Sequence, residues 1–211
     1  MMKHTKGWAT ACVVAGLLAT TAACSSDDQA RPDPTATPTA ECATGTYAWS
    51  DVVRRDVLTG VAEKQTFGKN GGMLTQPLRR LQTPRTEATT ETGPKVDPVT
   101  ALRSLGAHIG GAGKDSAFSE AGRPAPRVDG NTTNSSGPGT LVTYAYVEEV
   151  TAAFRRTCAG GEPSTGRATS WTVEGSGVLD CGQPQTAFDD SEPAREAALL
   201  SCAPGAPATK D

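Results

Sequence analysis

The sequence predicts a mainly β protein: a small antiparallel sandwich or barrel-like domain with long loops and one short C-terminal helix. Three observations carry this. Residues 142–158 alternate in polarity, a Gly160-Gly161-Glu162-Pro163 turn follows, and the alternation returns around Trp171. Leu, Ile, Val and Phe together number 31 of 211 residues, beside 23 Gly and 15 Pro, so the core is small and the connections are long. The stretch after Ser191 joins a helix-capping residue to a run of good helix formers.

The chain begins with a segment that is not part of that domain. Lys3 and Lys6 precede an apolar run from Trp8 to Ala19, closed by Thr21-Ala22-Ala23-Cys24. A membrane-spanning helix needs about 20 apolar residues, and this run is shorter and broken by Thr10 and Gly16. The order of basic, apolar and small residues ending in cysteine resembles a bacterial lipoprotein signal with its lipobox. Thr21 stands where the usual lipobox carries Leu. The resemblance implies that residues 1–23 are removed and that Cys24 becomes an acylated N-terminus. A single acyl chain anchors only marginally, whereas two or three on one cysteine hold firmly.

Removing residues 1–23 also removes Lys3 and Lys6, leaving 18 basic against 23 acidic side chains, a charge of −5. That balance argues against a nucleic-acid partner, which calls for clustered positive charge. Arg54-Arg55, Arg79-Arg80 and Arg155-Arg156 are isolated pairs and read as solvated surface.

Residues 24–41 hold Pro32, Pro34 and Pro38 among Ser, Thr, Asp and Ala. They read as a tether reaching about 50 Å if extended. A single β-rich domain is expected over 42–203, and a loose tail over 204–211. Within the domain, Tyr47, Trp49, Val53 and Val57 predict one side of a half-buried strand. Gly60 interrupts it, and a second strand runs from Val61 to Phe67. Asn70-Gly71-Gly72 is a turn, and residues 73–82 give no clear signal. Residues 83–98, with three prolines among Thr and Glu, read as an exposed loop. Residues 99–109 read as a short strand through Val99, Leu102, Leu105 and Ile109. The Gly-, Pro- and Ser-rich stretch 110–139 reads as a mobile loop.

The central hairpin is the strongest signal. Val142, Tyr144, Tyr146, Val150, Ala152, Phe154 and Cys158 share one parity, as do Trp171, Val173, Leu179 and Cys181. A helix fits 147–158 by spacing, but the β-branched content and the returning strand favour β. A turn centred near residue 162 sets Phe154 opposite Trp171 and Ala152 opposite Val173. Ser191, Glu192 and Pro193 then open the C-terminal helix, which Pro204-Gly205 stops.

Cys42, Cys158, Cys181 and Cys202 remain after the signal and anchor cysteines. Their spacing does not supply the close pairs of a metal site, and an even number in an exported chain reads as two disulfides. The hairpin register separates Cys158 from Cys181. A helix returning onto its preceding strand suggests Cys181–Cys202, which leaves Cys42–Cys158.

Motifs for chemistry are sparse. His108 is the one histidine left after signal removal, and neither a G-x-S-x-G elbow nor an H-E-x-x-H zinc helix accompanies it. Gly110-Gly111-Ala112-Gly113-Lys114 lacks the first glycine and the final Ser or Thr of a phosphate loop. Asp129-Gly130-Asn131 lacks the acidic partners of a calcium loop. Tyr47, Trp49, Tyr144, Tyr146 and Trp171 could form a sugar-stacking face, but so small a core needs them itself. No catalytic residue, metal or cofactor is expected.

The Ala-, Gly-, Pro-, Thr- and Arg-rich usage, the lipobox, Cys42-x₄-Tyr47-x-Trp49 and Gly177-Val178-Leu179-Asp180-Cys181 are similar to those of actinobacterial lipoproteins. That resemblance implies export and lipid anchoring, and no particular ligand. The expectation is a non-enzymatic module held through Cys24 at the outer face of the cytoplasmic membrane, binding an envelope protein or glycan. The alternative is an envelope hydrolase, or an accessory subunit of one, working through His108 and a carboxylate.

Overall fold

The computed structural model describes residues 45–111, 117–127, 133–188 and 191–210. Cys24, Cys42 and the tether lie outside the described residues, as do most of the glycine-rich loop at 110–114 and the Asp129-Gly130-Asn131 motif. The architecture is mainly β and antiparallel with a short C-terminal helix, and the principal sheet does not close into a barrel.

Three long strands form the frame: β1 (Gly45–Ala62), β7 (Gly139–Cys158) and β8 (Ser164–Asp180). Shorter strands are β2 (Gln65–Phe67), β3 (Gly72–Met73), β4 (Leu78–Arg80), β5 (Glu87–Thr92) and β6 (Asn134–Ser135). The sheet order is β4-β1-β7-β8-β5, with β2 also pairing β7, and β3 and β6 make a separate two-stranded ribbon. Two helices cover the sheet, α1 (Pro98–Ile109) and α2 (Glu192–Ser201).

The even-numbered face of β7 meets both helices. Val142 and Tyr144 pack with Leu58, Val61, Leu179 and the alanines of α2. Further along, Ala152 packs with Leu102 and Leu105 of α1, and Phe154 with Ala101. The odd-numbered face carries Val147, which packs with Val57, Trp171, Ala117 and Ala125.

Strict alternation predicts the wrong face for several residues because β-bulges reset the parity. In β1 the register slips between Ser50 and Val53, where Asp51 takes a positive φ of 51°. Tyr47 and Trp49 therefore lie towards α1, while Val53 is 58 % exposed and Val57 packs on the opposite face. A second slip at Thr59 lets Leu58 and Val61, three residues apart, share the α2 face. Gly60 thus lies within one continuous strand rather than ending it. A slip in β8 between its partners at Val147 and Glu149 puts Trp171 on one face and Leu179 on the other.

The hairpin turn is centred about two residues earlier than the sequence suggests. Gly160 adopts φ 73°, and Arg156 pairs directly with Ser164. Phe154 therefore faces Gly166, not Trp171, and Ala152 faces Ala168, not Val173. The glycines opposite the aromatics are required for space. A Cβ on Gly166, Gly175 or Gly177 would collide with the ring of Phe154, Tyr146 or Tyr144 respectively, so each ring lies flat across its neighbouring strand.

Residues 99–109 are helical, not a strand. Asp97 caps α1 by accepting from Thr100 N at 2.7 Å, Pro98 opens it, and Gly110 closes it in the left-handed region at φ 76°. Ala101, Leu102 and Leu105 then fall on one buried stripe. Residues 83–98 contain the edge strand β5, whose threonines suit an extended edge. Residues 117–127, expected within a mobile loop, pack onto the sheet: Ala117, Phe118 and Ala125 are buried, and Phe118 presses on α1 at Gly106.

Helix α2 starts at its expected cap, with Ser191 accepting from Ala194 N at 3.4 Å. Cys202 ends it and is disulfide-bonded to Cys181, with Cα atoms 5.6 Å apart. The residues beyond are not a loose tail. Ala208 is fully buried, and its N–H donates to the Cys181 carbonyl.

Candidate functional site

The bulge at Thr59 has a second consequence on the face away from α2. There β4 pairs only with Gly60, Val61 and Ala62, and the chain returns past it at Ala125 to Arg127. Between these elements opens a small, solvent-open recess with room for about one water molecule, with Gly60 and the buried Ala145 among its lining. Thr59, Thr83, Arg80 and Arg127 give it a polar rim. Its framework is fixed by hydrogen bonds to main-chain carbonyls. Leu81 N donates to Thr59 O at 3.0 Å, Gln82 Nε2 to Leu58 O at 2.9 Å, and Ala125 N to Pro84 O at 2.8 Å. None of its described lining residues is acidic.

The two segments that build the rim are rich in arginine. Arg79, Arg80 and Arg85 come from one, and Arg123 and Arg127 from the other. Two of these have structural duties: Arg85 Nη1 donates to Gly122 O at 3.0 Å, and the Arg123 guanidinium lies 5.9 Å from the Trp171 ring centroid. Arg80 and Arg127 line the cleft and are exposed, and Arg127 too is already partnered.

A second polar group lies on β1 and β7. Arg54 pairs with Glu148 at 2.7 Å and Arg55 with Glu149 at 3.1 Å across the strands. Partly exposed pairs of this kind contribute about 0.2–1 kcal/mol. Thr172 Oγ1 also donates to Glu148, and this bond together with Arg54 holds the Glu148 carboxyl below its ordinary range. Asp56 faces Glu148 directly, and its pKa is raised, chiefly by burial and then by Glu148 and Glu192. The cluster is a cross-strand ion-pair network.

The residues singled out in the sequence separate in space. His108 sits exposed in the last turn of α1, where a basic group suits the helix C-terminus. Among the described residues no group of three His, Cys, Asp or Glu could hold a metal ion. Trp171 and Tyr144 are buried core residues, and Tyr47 and Trp49 stack on each other at 5.9 Å beside Phe154. Trp49 Nε1 also donates to Ser104 Oγ on α1 at 3.1 Å. These aromatics pack into the core. Cys158 is disulfide-bonded, and its expected partner Cys42 lies outside the described residues. Among the described residues no helix is long and apolar enough to cross a membrane.

Sequence reasoning missed the cleft altogether. Arg80 and Arg127 are far apart in the chain, and no local pattern joins them. No family model, curated protein or solved structure matches the chain.

Proposed function

We propose that this chain is a lipid-anchored, non-enzymatic binding module, held at the outer face of the cytoplasmic membrane through Cys24. It presents its β domain to a protein or glycan of the envelope. The observation that carries the reading is the N-terminal order of Lys3 and Lys6, the apolar run and Thr21-Ala22-Ala23-Cys24, followed by a proline-rich tether. The Cys181–Cys202 disulfide supports export, since such bonds persist mainly in oxidising compartments.

Fractionation of Cys24→Ser tests the anchor. The variant is expected in the soluble fraction or retained as an unprocessed precursor. Normal membrane retention after signal removal would refute the anchor. Cross-linking from intact membranes followed by affinity purification tests the binding role, with an envelope protein or glycan as the expected capture. Cleavage of envelope polymers by the purified protein, abolished in His108→Ala, would instead make it a hydrolase.

A further inference from the structure

We propose that Asn70 is a site of spontaneous deamidation, and that its isoaspartyl product unlocks the β3–β6 ribbon. The modification belongs to the β domain itself and depends neither on the anchor nor on a partner.

The site follows from what the turn before β3 demands of its residues. Gly71 N donates to Gly68 O at 3.0 Å and closes a turn with Lys69 and Asn70 at its exposed tip. Asparagine suits such a corner. Gly71 is required for space. It adopts φ 65° and lies so close to the ribbon that a Cβ there would collide with the Ser135 carbonyl. The fold therefore sets a residue without a side chain directly after an asparagine whose exposed carboxamide has no partner among the described residues. That pairing leaves the Gly71 nitrogen an unhindered path to Asn70 Cγ. Asn134, the other asparagine among the described residues, is held extended in β6 and is followed by Ser135, whose Cβ crowds the same approach.

In the reaction the Gly71 N–H gives up its proton to hydroxide and the nitrogen attacks Asn70 Cγ. A bond forms between them, the carboxamide C–N bond breaks, and ammonia leaves with a proton taken from water. Water then opens the cyclic imide at either carbonyl, giving aspartate or isoaspartate. The net change consumes water and releases ammonia, with no oxidant or reductant. The bond from Gly71 to Gly68 must open first, so the folded turn slows the attack. It does not stop it, because a ribbon with two residues in each strand opens readily. Isoaspartate routes the main chain through the former side chain and lengthens it just before Gly71, where Ser135 leaves no room. The pairs Gly72–Ser135 and Met73–Asn134 follow at once, and so does the buried Leu74, whose N–H donates to Thr133 O at 2.9 Å. Gln65 holds the same segment through Met73 O and Thr75 N. A longer main chain cannot keep all of these contacts.

Incubation of the full chain in detergent, at neutral and at mildly alkaline pH, tests this when followed by peptide mapping and labelling with an isoaspartyl methyltransferase. Isoaspartate should accumulate at position 70, rise with pH, and form faster in urea, where the turn is open. The signal should be lost in Asn70→Gln, whose longer side chain does not close the same ring. Hydrogen exchange on the isoaspartyl fraction should show protection lost across residues 71–75 and 133–136. Asn70→Asp carries the new charge on an unchanged main chain and should keep native protection there. No isoaspartate at position 70 in the folded chain, or as much at Asn134 as at Asn70, would overturn the site. Native protection of the ribbon in the isoaspartyl fraction would overturn the unlocking.

Discussion

Helices α1 and α2 lie against the same face of β7 and are held there by different means. Helix α1 buries Leu102 and Leu105 and is closed by its own caps at Asp97 and Gly110. Helix α2 buries only Pro193 and three alanines, and its large residues Leu199 and Leu200 point to solvent. What α2 lacks in apolar contact is made up by the Cys181–Cys202 bond, by Ser201 Oγ donating to Ala62 O at 2.9 Å, and by Tyr144 hydrogen-bonded to Ser191. A helix without large buried side chains can keep a fixed place in a small domain if it is tied covalently.

The sharpest way to break this contrast is to empty the α1 interface. Leu105→Ala should destabilise by about 2–5 kcal/mol, the usual cost of such a cavity, measured by urea unfolding. The α2 counterpart is the disulfide. Replacing Cys181 and Cys202 by serine should cost about 3 kcal/mol for a loop of this length. Hydrogen exchange should rise in α2 and residues 203–210 while α1 stays protected. Equal loosening of both helices would contradict the contrast.

Cap substitutions should have smaller effects. Asp97→Ala should cost about 1 kcal/mol. Ser191→Ala should cost less through its cap, whose 3.4 Å bond is longer than the 2.7 Å bond at Asp97. The comparison is read by thermal melting of the two variants side by side.

Titration separates the helices by sign. The hydrogen bonds from Thr100 hold the Asp97 carboxyl below its ordinary range. Its contribution is therefore present above that range and is lost as pH falls through the lower, folded value. Burial raises the Tyr144 phenol, against the opposing bond with Ser191. Its contribution is full below the ordinary tyrosine range and is lost as pH rises through the higher, folded value. Acid should thus loosen the start of α1, and alkali the start of α2. Alkali also acts beneath α1, because burial raises Tyr47 in the same direction. Hydrogen exchange across a pH series, corrected for intrinsic rates, checks both. The smallest effect is expected for Asp56→Asn. Since the folded state disfavours the ionised Asp56, the variant should gain slightly in Tm at neutral pH and gain nothing in acid.

Helix α2 was legible because Ser191, Glu192 and Pro193 stand directly before an alanine-rich run. Asp97-Pro98 carries the same kind of signal, but Val99 and the spaced Leu102, Leu105 and Ile109 imitate a strand. The long hairpin was legible as alternation, and its separation of Cys158 from Cys181, together with the helix returning onto its preceding strand, gave the right pairing for Cys181. Its register was not legible, since the centring of the turn at Gly160 and the bulge in β8 leave no mark on polarity. The bulges at Asp51 and Thr59 belong with these, because burial and cross-strand pairing decide them. The cleft depends on the Thr59 bulge and on residues brought together only by the fold, which is why no motif announced it.

The proposed anchor at Cys24 is best probed by mass spectrometry of the N-terminal peptide of protein extracted from membranes. The expected chain begins at Cys24, with acyl chains in thioether and amide linkage on that residue. A chain that retains residues 1–23, or an unmodified Cys24 on membrane-bound protein, would contradict it.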